Sequence, residues 1–245
     1  ADANIGIGYN AGKSITTGTR NIALGYAAAD GFDTESDNIA IGYDALGGAV
    51  AGGEKNVVVG NYAGDALTSA DGSVMVGHQS GTAVSTGGLN TLVGYQTGSQ
   101  VSTGIGNTML GYQAGGYGNH QYSIGIGYGA MQSADNTGDH NIAIGTWAMQ
   151  NGALTGDYNV GLGYKAGYNL GAAAHKNITI GHQSGDNITT GDFNVIIGGG
   201  DAASATGDSQ LLISSGDGGV SWITGTSAGV VNIPGSLTVA GSAVG

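Results

Sequence analysis

The chain has 245 residues, of which 52 are glycine, one is proline and none is cysteine, and 17 acidic against 5 basic side chains give a formal net charge of −12. Nucleic acids and anionic membranes attract clustered cations, and Lys13, Arg20, Lys55, Lys165 and Lys176 are scattered, so we expect no nucleic-acid partner. No apolar run approaches the roughly 20 residues of a membrane span, so we expect no membrane insertion, and the lack of cysteine excludes disulfides and thiolate metal sites.

One phrase recurs along the first 200 residues. It reads NIALGY at 21–26, NIAIGY at 38–43 and NTMLGY at 107–112. Its glycine, which we name the anchor glycine, returns about every 17 residues, and such a period is typical of solenoids. The sequence therefore predicts an all-β solenoid or β-roll of about twelve coils over residues 1–200. The anchor glycines are Gly8, Gly25, Gly42, Gly60, Gly77, Gly94, Gly111, Gly127, Gly145, Gly163, Gly181 and Gly198.

Each coil is expected to contain one short strand just before its anchor glycine, because apolar positions alternate there. Aliphatic residues stand one and three positions before the glycine, and we predict that they face the inside of the coil. The position between them is small or apolar and almost never charged, so the strand is apolar on both faces. We therefore predict that this middle column contacts other copies in a parallel homotrimer. The predicted interface residues are Ala23, Ala40, Val58, Met75, Leu92, Met109, Ala143 and Ile196.

Asparagine stands four positions before the anchor glycine in ten coils, and serine replaces it at Ser73 and Ser123. Stacked amides can bond to one another from coil to coil, so the pattern predicts a polar ladder. The anchor glycine itself is expected at a corner where a Cβ atom would clash.

Tyrosine follows the anchor glycine in seven coils, and His78 and His182 occupy the same slot. A row of rings on a fibre could stack against the apolar faces of sugars and bind a glycan. The simpler interpretation is that the rings cover the corner of the coil and bond through their hydroxyls. The two histidines lie six coils apart, too far to share a metal ion. The tyrosines are Tyr9, Tyr26, Tyr43, Tyr95, Tyr112, Tyr128 and Tyr164.

Acidic residues gather at 30–38 and recur in later loops, as Asp135, Asp139, Asp157, Asp186 and Asp192. Such loops could hold Ca²⁺, but the spacing of known calcium motifs is absent, so we expect turn chemistry and no metal or cofactor. No nucleophile elbow, phosphate loop or isolated carboxylate pair is present, and we expect no enzyme. A glycan-cleaving pair of carboxylates assembled across chains is the less favoured alternative.

The repeat ends near residue 200. Residues 201–245 alternate β-rich runs with glycine and serine turns, which predicts hairpins or a different trimeric wrap, in a cap or junction that hides the last strand edge. Because the chain starts at Ala1 rather than methionine, we expect a processed or excised segment of a longer protein.

The unit N-x-x-aliphatic-G-x-x-[AS], as in NTMLGYQA at 107–114, resembles the head repeats of YadA-like trimeric autotransporter adhesins. The GYQAG variant, followed by residues 209–241, resembles even more the shaft of bacteriophage tail fibres and spikes. The resemblance implies a homotrimeric shaft that projects a receptor-binding surface toward a bacterial host. Its partners would be other virion tail proteins and a bacterial surface glycan or protein. Its location would be the extracellular virion tail. The alternative is an adhesin head on the bacterial surface.

Overall fold

The computed structural model describes residues 3–48, 51–133, 136–234, 237–239 and 242–244. The predicted all-β solenoid is confirmed, with twelve coils of about 17 residues and no helix in these ranges. Consequently the described part of the chain contains nothing with the length and hydropathy of a membrane-crossing helix. The strands are β1 (Ile5–Ile7), β2 (Ile22–Leu24), β3 (Ile39–Ile41), β4 (Val57–Val59), β5 (Val74–Val76), β6 (Thr91–Val93), β7 (Thr108–Leu110), β8 (Ile124–Ile126), β9 (Ile142–Ile144), β10 (Val160–Leu162), β11 (Ile178–Ile180), β12 (Val195–Ile197), β13 (Leu211–Ser214), β14 (Ser221–Gly225), β15 (Val231–Asn232), β16 (Leu237–Val239) and β17 (Ser242–Val244).

Strands β1 to β13 form one parallel ladder, in which each strand pairs with the next strand of the sequence. The register places equivalent residues side by side, as when Ala23 pairs with Ala40 and Ala40 with Val58. Backbone hydrogen bonds also join the turns of neighbouring coils, for example from the Ala27 N–H to the Tyr9 carbonyl at 2.9 Å. Each coil is therefore stacked on the next along most of its perimeter.

The predicted orientation of the strand faces is wrong. The middle residue of each strand from β2 to β12 points into the coil, where Val58, Met75 and Leu92 are fully buried against other residues of the same chain. The predicted interface residues thus form the core of the single chain and cannot contact other copies. They are Ala23, Ala40, Val58, Met75, Leu92, Met109, Ala143 and Ile196.

The rest of the core is filled by side chains from the loop that follows each anchor glycine. Two arrangements of these side chains recur. In some coils the fourth residue after the anchor is glycine, and a larger side chain three residues later fills the space. A Cβ atom on Gly167 would lie 2.6 Å from Leu170, so the two positions compete for one volume. In coils 3, 8 and 9 the fourth position carries the large side chain instead of glycine, and Leu46, Met131 and Met149 are buried there.

The anchor glycines lie at the end of each strand, where two coils approach most closely. Gly94 has a φ of +142°, and a Cβ atom there would lie far inside van der Waals contact of the Gly111 carbonyl oxygen. The same clash, with the anchor glycine of the next coil, recurs at Gly25 and Gly77. The predicted corner is confirmed, and its physical cause is the backbone of the following coil.

The predicted amide ladder is also confirmed. The Asn159 Oδ1 atom accepts the backbone N–H of Asn177 at 3.0 Å, and its Nδ2 atom donates to the Ala174 carbonyl at 2.7 Å. Where serine replaces asparagine, the hydroxyl is the acceptor, as when Ser73 Oγ receives the Asn90 N–H at 3.2 Å. Buried amides that satisfy the backbone of the next coil hold successive coils in register.

The ladder ends in an antiparallel meander. β13 still pairs in parallel with β12, and the Gln210 N–H still bonds to Asn194 Oδ1, so the coil pattern continues about ten residues past the predicted boundary at 200. β14 and β15 then pair antiparallel, and β16 pairs with β17 in a separate hairpin. The hairpins expected in residues 201–245 are therefore present.

We predict that Gly94→Ala strongly destabilises the solenoid, by several kcal/mol, because the new Cβ atom meets the Gly111 carbonyl at a left-handed φ. Gly216→Ala is the matched control, since a Cβ atom there has no neighbour within 4 Å. Thermal unfolding followed by circular dichroism compares the two. Equal melting temperatures would contradict the assigned role of the anchor column.

We predict that Asn159→Ala lowers stability by about 3 kcal/mol, because it leaves the Asn177 N–H and the Ala174 carbonyl buried without partners. Asn159→Ser should cost less, since the chain itself uses serine at this place in two coils. Amide hydrogen exchange at Asn177, measured by NMR, is the local readout, and exchange as slow as in the unaltered chain would contradict the prediction.

Candidate functional site

The most extensive unpaired surface of the described coils is the outer face of the strand ladder. The aliphatic residues one and three positions before the anchor glycine, predicted to be internal, point outward instead. Ile7 at one end is 60% exposed, and none of the residues in these two columns is buried. The sequence could have shown this, because asparagine and the middle residue of the strand lie on one side by the two-residue period. Amides that bond to the next coil lie inside the solenoid, so the middle residue of the strand lies inside as well.

This outer face is large, flat and uncharged. We name it the apolar face and define it by the outer columns of β1 to β12, which are valine, isoleucine and leucine except at Thr91 and Thr108. Twelve strands about 4.8 Å apart give a length of about 50 Å, and the face with its flanking tyrosines is about 13 Å wide. The resulting area of roughly 700 Å² exceeds the few hundred Å² that monomers usually expose.

The tyrosines that follow the anchor glycines form one continuous row along the edge of the apolar face. Six of the ten neighbouring pairs are stacked, as between Tyr95 and Tyr112, whose centroids lie 5.3 Å apart with planes 6° from parallel, and the other four are tilted or edge-on. Tyr62 and Trp147 join the row from one position further along the coil, which the sequence pattern did not indicate. The row contains Tyr9, Tyr26, Tyr43, Tyr62, His78, Tyr95, Tyr112, Tyr128, Trp147, Tyr164 and His182.

The ring contacts bear on the two interpretations of the tyrosines. A sugar ring binds an aromatic side chain through the face of the ring. Tyr26, Tyr95 and Tyr112 have a stacked ring on each face, whereas the contacts that involve Tyr62 and Trp147 are tilted or edge-on. The stacked contacts fit the simpler interpretation, in which the rings cover the corner of the coil, and glycan binding along the row stays a prediction.

Other aromatic side chains gather at two places outside the row. Tyr122, His140 and Tyr158 stand just before the strands at left-handed φ values, and their rings stack at 5.3 and 4.9 Å. The Lys165 ammonium lies over three rings, 5.3 Å from the centroid of Trp147 and 4.8 Å from that of Tyr168. Both arrangements are contacts between coils of the same chain.

The loop aspartates act as acceptors for the backbone of the preceding coil. Asp139 Oδ1 accepts the Gln121 N–H, Asp157 accepts the Asp139 N–H, and Asp192 accepts the His175 N–H, at 2.6 to 2.8 Å. These bonds join neighbouring coils, whereas the sequence predicted local turns. Asp135 lies outside the described residues. In the ranges that the structure describes, no cluster of three or more acidic, histidine or cysteine residues could hold a metal ion.

One pair of carboxyl groups is brought together near the end of the shaft. Asp186 and Asp201 share a hydrogen bond beside a small opening of about 230 Å³, and burial first, then Asp201, raises the pKa of Asp186 to about 6. Glycosidases need their two carboxyl groups about 5 Å apart or more, so that a sugar or water fits between them. This pair is too close for that arrangement.

His120 is one of the polar residues buried inside the coils. It is fully buried in coil 7, and neither ring nitrogen has a hydrogen-bond partner among the described residues. Asn136, at the equivalent place in the next coil, likewise leaves its Oδ1 atom unpaired there. Burial lowers the pKa of His120 to about 4, because a charged imidazolium would lose its hydration.

In comparisons with known proteins, no family model, no curated protein and no solved structure matches the chain.

We predict that acid destabilises the solenoid through His120. The folded pKa of about 4 lies below the ordinary value of 6.5, so the unfolded chain binds the proton first and stability falls as the pH drops from about 6.5 to 4. The loss from this group amounts to about 3 kcal/mol. His120→Leu should remove it, since Leu154 is buried at the equivalent place two coils later.

Urea unfolding at several pH values between 4 and 7 measures this effect. The exposed-row variant His78→Gln is the control and should keep the full pH dependence. The same slope in His120→Leu as in the unaltered chain would show that another group is responsible.

Proposed function

We propose that the chain is a structural segment of an extracellular homotrimeric fibre of the bacteriophage tail-fibre kind, which projects a receptor-binding surface toward a bacterial host. The observation that carries the proposal is the apolar face of β1 to β12. Together with the flanking tyrosines, its area of roughly 700 Å² is close to the approximately 800 Å² that each partner buries in a stable protein interface. Three copies that turn this face toward a common axis would remove it from water.

The composition of the face supports self-association. No charged residue lies within β1 to β12, although a sheet face that stays in water usually carries polar side chains. The charges lie in the loops, for example in the ion pairs Lys13–Asp30 and Arg20–Asp37. Copies with net charge −12 can therefore meet through the strands while their acidic loops remain in solvent.

The mechanical properties of the solenoid fit a shaft. Strand pairs, asparagine amides, loop carboxylates and stacked rings all connect one coil to the next, so the stack resists bending. A stiff shaft holds three identical surfaces at fixed spacing, and three weak receptor contacts then act together through their effective concentration. In a virion tail, the ends of such a segment would join other tail proteins, and its partner on the host would be a surface glycan or protein.

The phage assignment rests on the resemblance of the GYQAG coils and of residues 209–241 to tail-fibre shafts. The head of a bacterial adhesin would use a trimer of the same architecture. Gene sequence beyond residue 245 distinguishes them: a chaperone domain supports the tail fibre, and a coiled-coil stalk with a membrane anchor contradicts it.

We predict a solution mass of three times the 23.9 kDa chain, measured by light scattering coupled to size-exclusion chromatography in native buffer. The double variant Val76→Asp, Val93→Asp should run as a monomer, because two carboxylates per chain would be buried without partners in the interface.

The matched control is Thr86→Asp, Thr103→Asp, which adds the same charges to exposed loop positions of neighbouring coils. It should remain a trimer. A monomeric mass for the unaltered chain would contradict the proposed assembly.

A further inference from the structure

The repeat is least regular between coils 7 and 10, and a groove opens there. Gly111 and Gly127 are only 16 residues apart, whereas the next three coils, up to Gly181, have 18 residues each. The groove encloses about 640 Å³ and is lined by residues five to eight positions past the anchor glycines. It is thus formed by loops and is separate in sequence from the strands of the apolar face. Its volume lies within the range of small-ligand sites in proteins.

Two tyrosines mark the ends of the groove. Tyr117 comes from coil 7 and Tyr168 from coil 10, which places them about 14 Å apart along the shaft, or three strand spacings. Both are half-buried, and neither ring stacks on another aromatic ring among the described residues. They therefore differ from the tyrosines of the stacked row. Tyr168 is further held by the Lys165 ammonium, 4.8 Å from its ring centroid.

Neutral amides form the floor between these rings. A ladder of glutamine side chains runs along the coils, in which Gln132 Nε2 donates to Gln113 at 2.7 Å and Gln150 Nε2 donates to Gln132 at 3.0 Å. The ladder ends at Gln150, whose Oε1 atom accepts no hydrogen bond from the described residues. Asn151 beside it uses its Nδ2 atom on Asn169 Oδ1, and its own Oδ1 atom has no donor there. Each of these two amide nitrogens also keeps a second N–H, so the floor offers both acceptors and donors, which fits hydroxyl groups that donate and accept.

We infer that this groove binds a short neutral oligosaccharide, with sugar rings packed on Tyr117 and Tyr168 and hydroxyl groups bonded to Gln150 and Asn151. The inference rests on the proposed fibre function, since it names the class of receptor that such a fibre holds. Aromatic rings bind the apolar C–H faces of sugars, while the amide oxygens between them accept hydrogen bonds from hydroxyls.

The charge of the site favours a neutral ligand over an anionic one. None of the side chains that line the groove is charged, the nearby Lys165 ammonium is already held over three rings, and the chain as a whole is strongly acidic. An extended peptide presents a carbonyl for each of its N–H groups, and the second N–H of the Gln150 and Asn151 amides can serve such carbonyls. The peptide is therefore distinguished from the sugar by the experiment below.

The experiment titrates the full chain with a panel of neutral oligosaccharides of three to six units, built from glucose, mannose, galactose or N-acetylglucosamine. Saturation-transfer NMR detects binding, and calorimetry gives the affinity of any sugar that binds. Tyr117→Ala and Tyr168→Ala should each weaken binding roughly tenfold, whereas Tyr168→Phe, which keeps the ring face, should stay within about twofold. Tyr26→Ala, in the stacked row far from the groove, is the matched control and should bind as the unaltered chain does.

Three results would overturn the inference: no sugar of the panel binds, both alanine variants bind with unchanged affinity, or a proline-rich peptide occupies the groove in place of sugars. Circular dichroism of each variant verifies that the coils are intact. Mass measurements on the same samples separate this inference from the fibre proposal. A trimer that binds no sugar overturns the groove alone, and a monomer that binds sugar overturns the assembly alone.

Discussion

The close approach of successive coils at the anchor glycine is the constraint on which the rest of this structure depends. Each coil has its backbone directly above the next, so that a methyl group on Gly94 would overlap the carbonyl of Gly111. This spacing allows parallel strand pairing, and it places every side chain over its equivalent one coil away. Asparagine amides and tyrosine rings then contact their equivalents in the next coil, and loop carboxylates accept backbone N–H groups of the preceding coil. The columns in the sequence are a direct record of this stacking.

Period, strand position and the asparagine ladder could be predicted from sequence because each depends only on spacing and residue type. The inside and outside of the strand could not be read from hydrophobicity, since both Val58 and its neighbours Val57 and Val59 are apolar. The orientation of the strand is indicated only by the two-residue spacing between the asparagine and the middle residue, which places both side chains on the same side. In the structure the middle column of the strand is internal and the two aliphatic columns are external. The proposed contact between copies therefore lies on the aliphatic columns and not on the middle column.

The surfaces of the chain divide into regular and irregular parts. Where the repeat is regular, equivalent side chains of successive coils contact one another, and Tyr95 and Tyr112 are covered by stacked rings on both faces. The proposed groove lies where coil length changes, and Tyr117 and Tyr168 there stack on no other ring of the described residues. A periodic pattern in the sequence indicates the solenoid but not such a site, since the site is defined by departure from the period.

The two ways of filling the core have a consequence for how such a chain changes over generations. Leucine at 170 requires glycine at 167, while methionine at 149 serves a coil built on the other arrangement. Converting one arrangement into the other by single replacements would pass through a form that is overfilled or hollow. Whole coils, in contrast, carry a matched set of residues and present the same upper and lower surfaces. Duplication, deletion or exchange of complete coils is therefore the easier route by which a shaft of this kind can lengthen, shorten or acquire a new segment.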